Sequence, residues 1–319
     1  VFQLALLWAV VGLAFAPLLA RAQRYSGLAH GLVAALCVWI SPVGENIRFG
    51  QVNAILVTLC LLDLVRGSRG GGGGGVAVGR FTLRWPRGTL VGLAVAIKLT
   101  PGIFLVHFAI TRQWRELRNA VLAAVAVTLA TFLLAPESSF EFWTSALLDS
   151  NRLGPNAGSS NQSLRGFVLR LYLSDSATTA LWFVLAVLAG VLGFAVARAM
   201  HRRGSLVGEV AACGMVAILV SPVSWLHHLF WGVVVLGALV GDGRTRRRVV
   251  VAGVALLALW VAWPWWGANL LASPSVPTPV ARIVQNGDLW WACLALFALR
   301  RLVPVPPVRG AGVSPDTPF

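Results

Sequence analysis

Residues 90–110 read LVGLAVAIKLTPGIFLVHFAI, an apolar run of membrane-spanning length broken at its centre by Lys98, Thr100, Pro101 and Gly102. A hydrocarbon core of about 30 Å asks for about 20 apolar residues in one helix. Proline ends a helix at such a place, and an ammonium at that depth is costly. The stretch therefore reads as two half-helices of about ten residues each that dip into the membrane and return. Irregular backbone survives at depth only where it is buried in protein or lines a polar cavity.

The flanks agree. Arginines crowd residues 66–87 on one side and Arg112, Arg115 and Arg118 on the other. A single crossing would place these clusters on opposite faces, whereas cytoplasmic loops collect the basic residues. A re-entrant pair restores the rule. Further apolar spans are expected at 1–20, 28–40, 52–65, 120–135, 179–197, 206–220, 226–240, 249–266 and 289–303. The expectation is an all-α integral membrane protein of about nine spans plus the re-entrant pair, with Val1 outside and the C-terminus inside. Residues 1–303 form one polytopic domain with a long outer loop at 136–178 and a flexible glycine-rich cytoplasmic linker at 66–88. Residues 304–319 read as a disordered cytoplasmic tail.

Composition excludes the main competitors. Hydrophobic residues make up 57% of the 319 and charged residues 12%, with a mean hydropathy of +0.78, outside the range of soluble domains. The net charge of +15 sits in short clusters between apolar runs and marks topology, not a nucleic-acid face. The glycine run at 70–75 lacks the GK[ST] ending of a phosphate-binding loop. Cys37, Cys60, Cys213 and Cys293 stand alone in apolar segments, which suits packing. Among 26 basic residues Lys98 is the one lysine.

Four motifs carry possible chemistry. The first, residues 42–53 (PVGENIRFGQVN), brings Gln51 and Asn53 to the start of an apolar helix; Asn46 as a cap and Gly50 as a turn residue explain it equally well. Asp63, at the other end of that helix beside Arg66, reads as a structural or interfacial charge. The second holds Lys98, whose anionic partner is a lipid phosphate or a buried carboxylate. The third is residues 159–166 (SSNQSLRG). Asn161, Gln162 and Ser163 offer donors and acceptors suited to sugar hydroxyls, and Arg165 is suited to gripping a phosphate; a solvated loop ending in a helix cap has the same composition. The fourth is residues 221–231 (SPVSWLHHLFW), which places Ser224, Trp225, His227 and His228 at the rim of a span. Metal-ligand spacing is missing there, so phosphate binding or substrate hydrogen bonding is expected and no metal. His30, His107 and His201 read as structural or interfacial, and Trp263, Trp265 and Trp266 as an outer aromatic girdle.

In this order and spacing, GQVN, GLAVAIKLTP, SNQSLRG and SPVSWLHH resemble glycosyltransferase family 87, the actinobacterial polyprenol-phosphate-mannose-dependent alpha-1,2-mannosyltransferases and their arabinofuranosyltransferase relatives. The resemblance covers residues 40–232. It implies a GT-C helical membrane domain in the bacterial plasma membrane that moves a sugar from a polyprenyl-phosphate donor to a glycolipid or lipoglycan on the outer face, by inversion and with no cofactor assigned. Lys98, Arg165, His227 and His228 become candidates for the donor phosphate. Gln51, Asn53, Asn161, Gln162, Ser163, Ser224 and Trp225 become candidates for the sugar or acceptor. In GT-C enzymes the catalytic carboxylate follows the first span. Here that region would precede Val1, so the chain is expected to be an N-terminally truncated fragment, with Glu45 the candidate base within it. A lipid or sugar transporter is the alternative of another class, since broken helices suit transporters too.

Overall fold

The computed structural model describes residues 1–67, 75–78, 81–147, 149 and 154–304. The chain folds into helices α1 (Phe2–Ala14), α2 (Ala16–Arg21), α3 (Ser26–Val38), α4 (Ser41–Arg48), α5 (Asn53–Arg66), α6 (Thr89–Ile97), α7 (Ile103–Ile110), α8 (Trp114–Leu134) and α9 (Pro136–Glu141). These are followed by α10 (Leu164–Leu169), α11 (Asp175–Arg202), α12 (Leu206–Val220), α13 (Gly232–Val240), α14 (Arg246–Trp260), α15 (Trp263–Leu271), α16 (Thr278–Gln285) and α17 (Gly287–Leu302). The expected linker contains a short antiparallel pair, β1 (Val76–Val78) with β2 (Phe81–Leu83). Gly70 to Gly74 of the glycine run, Arg152 and the tail from 305 onward lie outside the described residues.

Contacts fix the direction of each helix around the broken run. Asp63, late in α5, accepts hydrogen bonds from the backbone N–H of Gly88 (2.6 Å) and Leu90 (3.3 Å) and from Trp85 Nε1 (3.1 Å). A carboxylate at the first turn of α6 satisfies its free donors and opposes its dipole. Asp63 is thus fully buried and structural. Asn53, at the start of α5, meets Lys98 just past the end of α6, so α5 and α6 are antiparallel.

Lys98 has extended backbone, and Thr100–Gly102 form a single 3-10 turn before α7. α8 then lies parallel to α6. A Cβ on Gly88 would strike the Glu116 carbonyl and one on Gly92 the Ala120 carbonyl, and Asn119 donates to the Arg87 carbonyl (2.9 Å). Since α8 begins level with the start of α6, α7 must return toward that level. His107 on α7 and Arg87 before α6 accordingly both reach Glu209. The hairpin expected from Lys98 and Pro101 is present in the backbone.

α12 is the central helix, buried continuously from Gly208 to Leu219. Outside it, α8 and α11 show large apolar side chains outward, Leu133 at 86% and Leu192 at 66% exposure, which suits lipid and not water. Among the described residues two helices, α8 and α11, are each long and apolar enough to cross a membrane. Up to four spans result if the bent pairs Gln23–Val38 with Ser41–Arg48 and Arg246–Trp260 with Trp263–Leu271 each count once. Several expected continuous spans are thus interrupted. The run 1–20 breaks at Phe15, and 226–240 opens with a 3-10 turn over Leu226–Trp231. The expected outer loop 136–178 is itself partly helical, holding α9, a π-helical turn at Phe142–Ala146, α10 and the first turn of α11.

The arginine clusters gather at one end of the bundle. Arg203 donates to the Arg300 carbonyl, Arg248 to the carbonyls of Ala238 and Leu239, and Arg21 to that of Asp242. Glu209 lies at this end. Lys98 lies at the other, about 15 Å away along α6 at 1.5 Å per residue.

Candidate active site

At the Lys98 end a cavity of about 1020 Å³ opens between the tip of the α6–α7 hairpin, α4 and the turn before α13. Lys98 is held from two sides. Its ammonium donates to His228 Nε2 (2.8 Å) and to Asn53 Oδ1 (3.4 Å). Behind it, amides form a chain: Asn53 Nδ2 donates to Asn46 Oδ1 (3.1 Å), Asn46 Nδ2 to Gln3 Oε1 (2.8 Å), and Gln3 Nε2 to the Gln51 carbonyl (2.8 Å). Neither Asn46 nor Gln3 stands out in the sequence as part of a site, because nothing in local spacing joins three helices.

The His pair forms because residues 226–231 wind as a 3-10 turn, which places both rings inside the protein. The rings meet edge to face with centroids 4.8 Å apart. His228 faces Lys98, and His227 lines the cavity with Phe49 beside it (6.3 Å between centroids). Gln51, Trp225 and Trp265 complete the rim. Two carboxylates share this space. Glu45, which pairs loosely with Arg48 (3.7 Å), was singled out by sequence; Asp149 emerges from the structure.

The SSNQSLRG motif does not line the cavity except at Ser160. Asn161 Oδ1 accepts from the backbone N–H of Ser163 and Ser224, while its amide donates to the carbonyls of Asn156 and Pro222. Gln162 donates to the carbonyls of Ser159 and Gln285 and accepts from the Leu289 N–H. Ser163 caps α10 through the Gly166 N–H (3.0 Å), and Ser224 Oγ donates to the Ile218 carbonyl. These fully buried groups clasp the loop to the 222–225 turn and to the start of α17. Arg170 reinforces the clasp, donating to the carbonyls of Gly158 and Asn161 and to Asn286 Oδ1. Burial, with Arg282 nearby, pushes its guanidinium down to about 10. Arg165 lies over the Trp182 ring, 5.5 Å from its centroid, and is not on the cavity wall.

The sequence profile of glycosyltransferase family 87 matches residues 1–222. The chain belongs to glycosyltransferase family 87. Two relatives, from Mycobacterium tuberculosis and Mycolicibacterium smegmatis, are named polyprenol-phosphate-mannose-dependent alpha-(1-2)-phosphatidylinositol mannoside mannosyltransferases. The first is 32% identical over 86% of this chain and 61% of its own length, the second 33% over 87% and 62%. A further Mycobacterium tuberculosis protein, named as the pentamannoside mannosyltransferase of this type, is 29% identical over 86% of this chain and 62% of its own. The chain therefore spans about three fifths of the length of these relatives. No solved structure gives a significant match.

Proposed function

We propose that this family 87 chain carries the donor-phosphate site of an enzyme that transfers mannose from polyprenyl-phosphate-mannose to a glycolipid acceptor of the phosphatidylinositol mannoside kind. One observation carries the reading. An ammonium has three donors, and among the described residues Lys98 has two partners, which leaves one N–H for a ligand in the cavity. Lys98, with His227 and His228 beside it, binds the phosphate and stabilises the charge it gains as the anomeric C–O bond breaks. The acceptor hydroxyl forms the new bond from the opposite side of the sugar, inverting the centre, and a carboxylate takes its proton. Glu45 and Asp149 are the described carboxylates on the cavity.

The membrane arrangement we propose follows from helix direction. α1, α3, α5, α8, α11, α12, α13, α14 and α17 alternate as nine crossings, several short or bent, with α6–α7 entering and leaving at the arginine end. The gathering of Arg21, Arg203, Arg248 and Arg300 at that end supports reading it as cytoplasmic and the cavity as extracytoplasmic in the plasma membrane. The relatives' names favour mannose over arabinofuranose as the donor sugar. The test is transfer of labelled mannose by membranes containing the full-length enzyme. Lys98→Met lowers the rate about 100-fold or more, as loss of a charge-stabilising donor does, with protein yield and unfolding temperature nearly unchanged. Transfer at the unaltered rate would remove Lys98 from the chemistry and with it this reading.

A further inference from the structure

At the opposite end of the bundle Glu209 gathers two histidines from different helices. His107 Nε2 of α7 lies 3.1 Å from Glu209 Oε2, and His201 Nδ1 of α11 lies 3.1 Å from Oε1. The potential ligand atoms of the three residues all fall within 4.8 Å of one another. His107 and His201, read from sequence as structural or interfacial, thus share one partner: sequence separations of 102 and 8 residues from Glu209 vanish in space. His107 is fully buried, whereas the His201 side chain is 27% exposed and gives the cluster an outlet to solvent.

The buried charges near Glu209 include one guanidinium. Arg87, with 2% exposure, stands 3.9 Å from Glu209, and Asp63 is a further carboxylate near it. Two carboxylates and one guanidinium sum to a single negative charge when both imidazoles are neutral. A bound metal ion or a protonated imidazole would offset that charge. Two imidazole nitrogens and a carboxylate oxygen are a zinc-type donor set, with the fourth tetrahedral position free for water. Bonds of about 2.0–2.2 Å to one ion hold neighbouring ligand atoms roughly 3.3 Å apart, close to the two 3.1 Å separations. The remaining separation, at most 4.8 Å, would have to shorten on binding. Arg87 opposes any weakly held ion, and calcium and magnesium prefer oxygen ligands throughout.

We propose that His107, His201 and Glu209 bind one divalent transition-metal ion, of the zinc class, that ties the returning arm α7 to α11 and α12. The inference is independent of the transfer reaction. Its test is metal analysis of the chain purified in detergent, stripped with chelator and reloaded with Zn²⁺ or Co²⁺. About one ion per chain, a raised unfolding temperature and the visible bands of tetrahedral Co²⁺ are expected, and all three are lost in His107→Ala/His201→Ala. If that double variant does not fold, His201→Ala alone weakens the reloading, while His228→Ala leaves it unchanged. Wild-type protein that retains no ion, shows no thermal shift and gives no Co²⁺ bands would overturn the proposal and leave Glu209 balanced by a protonated histidine.

Discussion

The two ends of the α6–α7 hairpin use similar residue types in opposite ways. At the tip, Lys98 meets His228 and Asn53 and faces a large cavity with a donor to spare. At the base, Glu209 is fully buried and meets His107, His201 and Arg87. Both are polar clusters inside an apolar bundle, so polarity alone does not separate site from scaffold. What separates them is access: Lys98 faces a large cavity, whereas the Glu209 carboxylate is fully buried among its partners. The buried cluster joins helices and has room for an ion at most, and the open one faces a larger ligand.

The base should be the sensitive end for stability. Glu209→Ala removes the shared anion and leaves Arg87 buried without its Glu209 partner, which costs about 3–5 kcal/mol as for other broken buried pairs. Thermal or denaturant unfolding in detergent would measure it. A loss under about 1 kcal/mol, the scale of a surface pair, would erase the distinction between the two ends.

At the tip the effect moves from stability to rate. Asn53→Ala leaves Lys98 in place but removes the acceptor that aims it. Transfer by the full-length enzyme is expected to fall about tenfold, near 1.4 kcal/mol, as a change in the rate at saturating donor. Asn46→Ala, one amide further back, gives a smaller fall of the same kind. Equal effects from both would show that the amide chain acts as packing and not as a series of contacts leading to Lys98.

Legibility in the sequence follows the same division. The hairpin is readable because Lys98, Pro101 and Gly102 each violate a local rule of membrane helices within five positions. The tip histidines are readable because they adjoin each other. Glu209 with His107 and His201 is not, since the cluster depends on α7 doubling back, and no local periodicity records a contact across 102 residues. Asn161, Gln162 and Ser163 are visible as a polar motif, yet their partners Pro222, Gln285 and Leu289 are distant in sequence. Composition alone gives such residues the chemistry of a sugar site, whereas the fold closes them on backbone groups.

That closure yields the smallest effect. Ser163 is the cap of a six-residue helix, accepting from the Gly166 N–H and donating to the Pro222 carbonyl (3.2 Å). Ser163→Ala removes one cap and should lower stability by about 1 kcal/mol. Because Asn161 still joins the loop to Ser224, and Arg170 still joins it to Asn286, the clasp as a whole survives. Donor affinity in the full-length enzyme is accordingly expected to hold steady while the unfolding temperature drops by a few degrees. A reversal, with affinity for the donor lost and stability kept, would mean that the Ser163 hydroxyl turns toward the sugar in the bound state. The clasp would then belong with Lys98, on the side of the molecule that is open to a ligand.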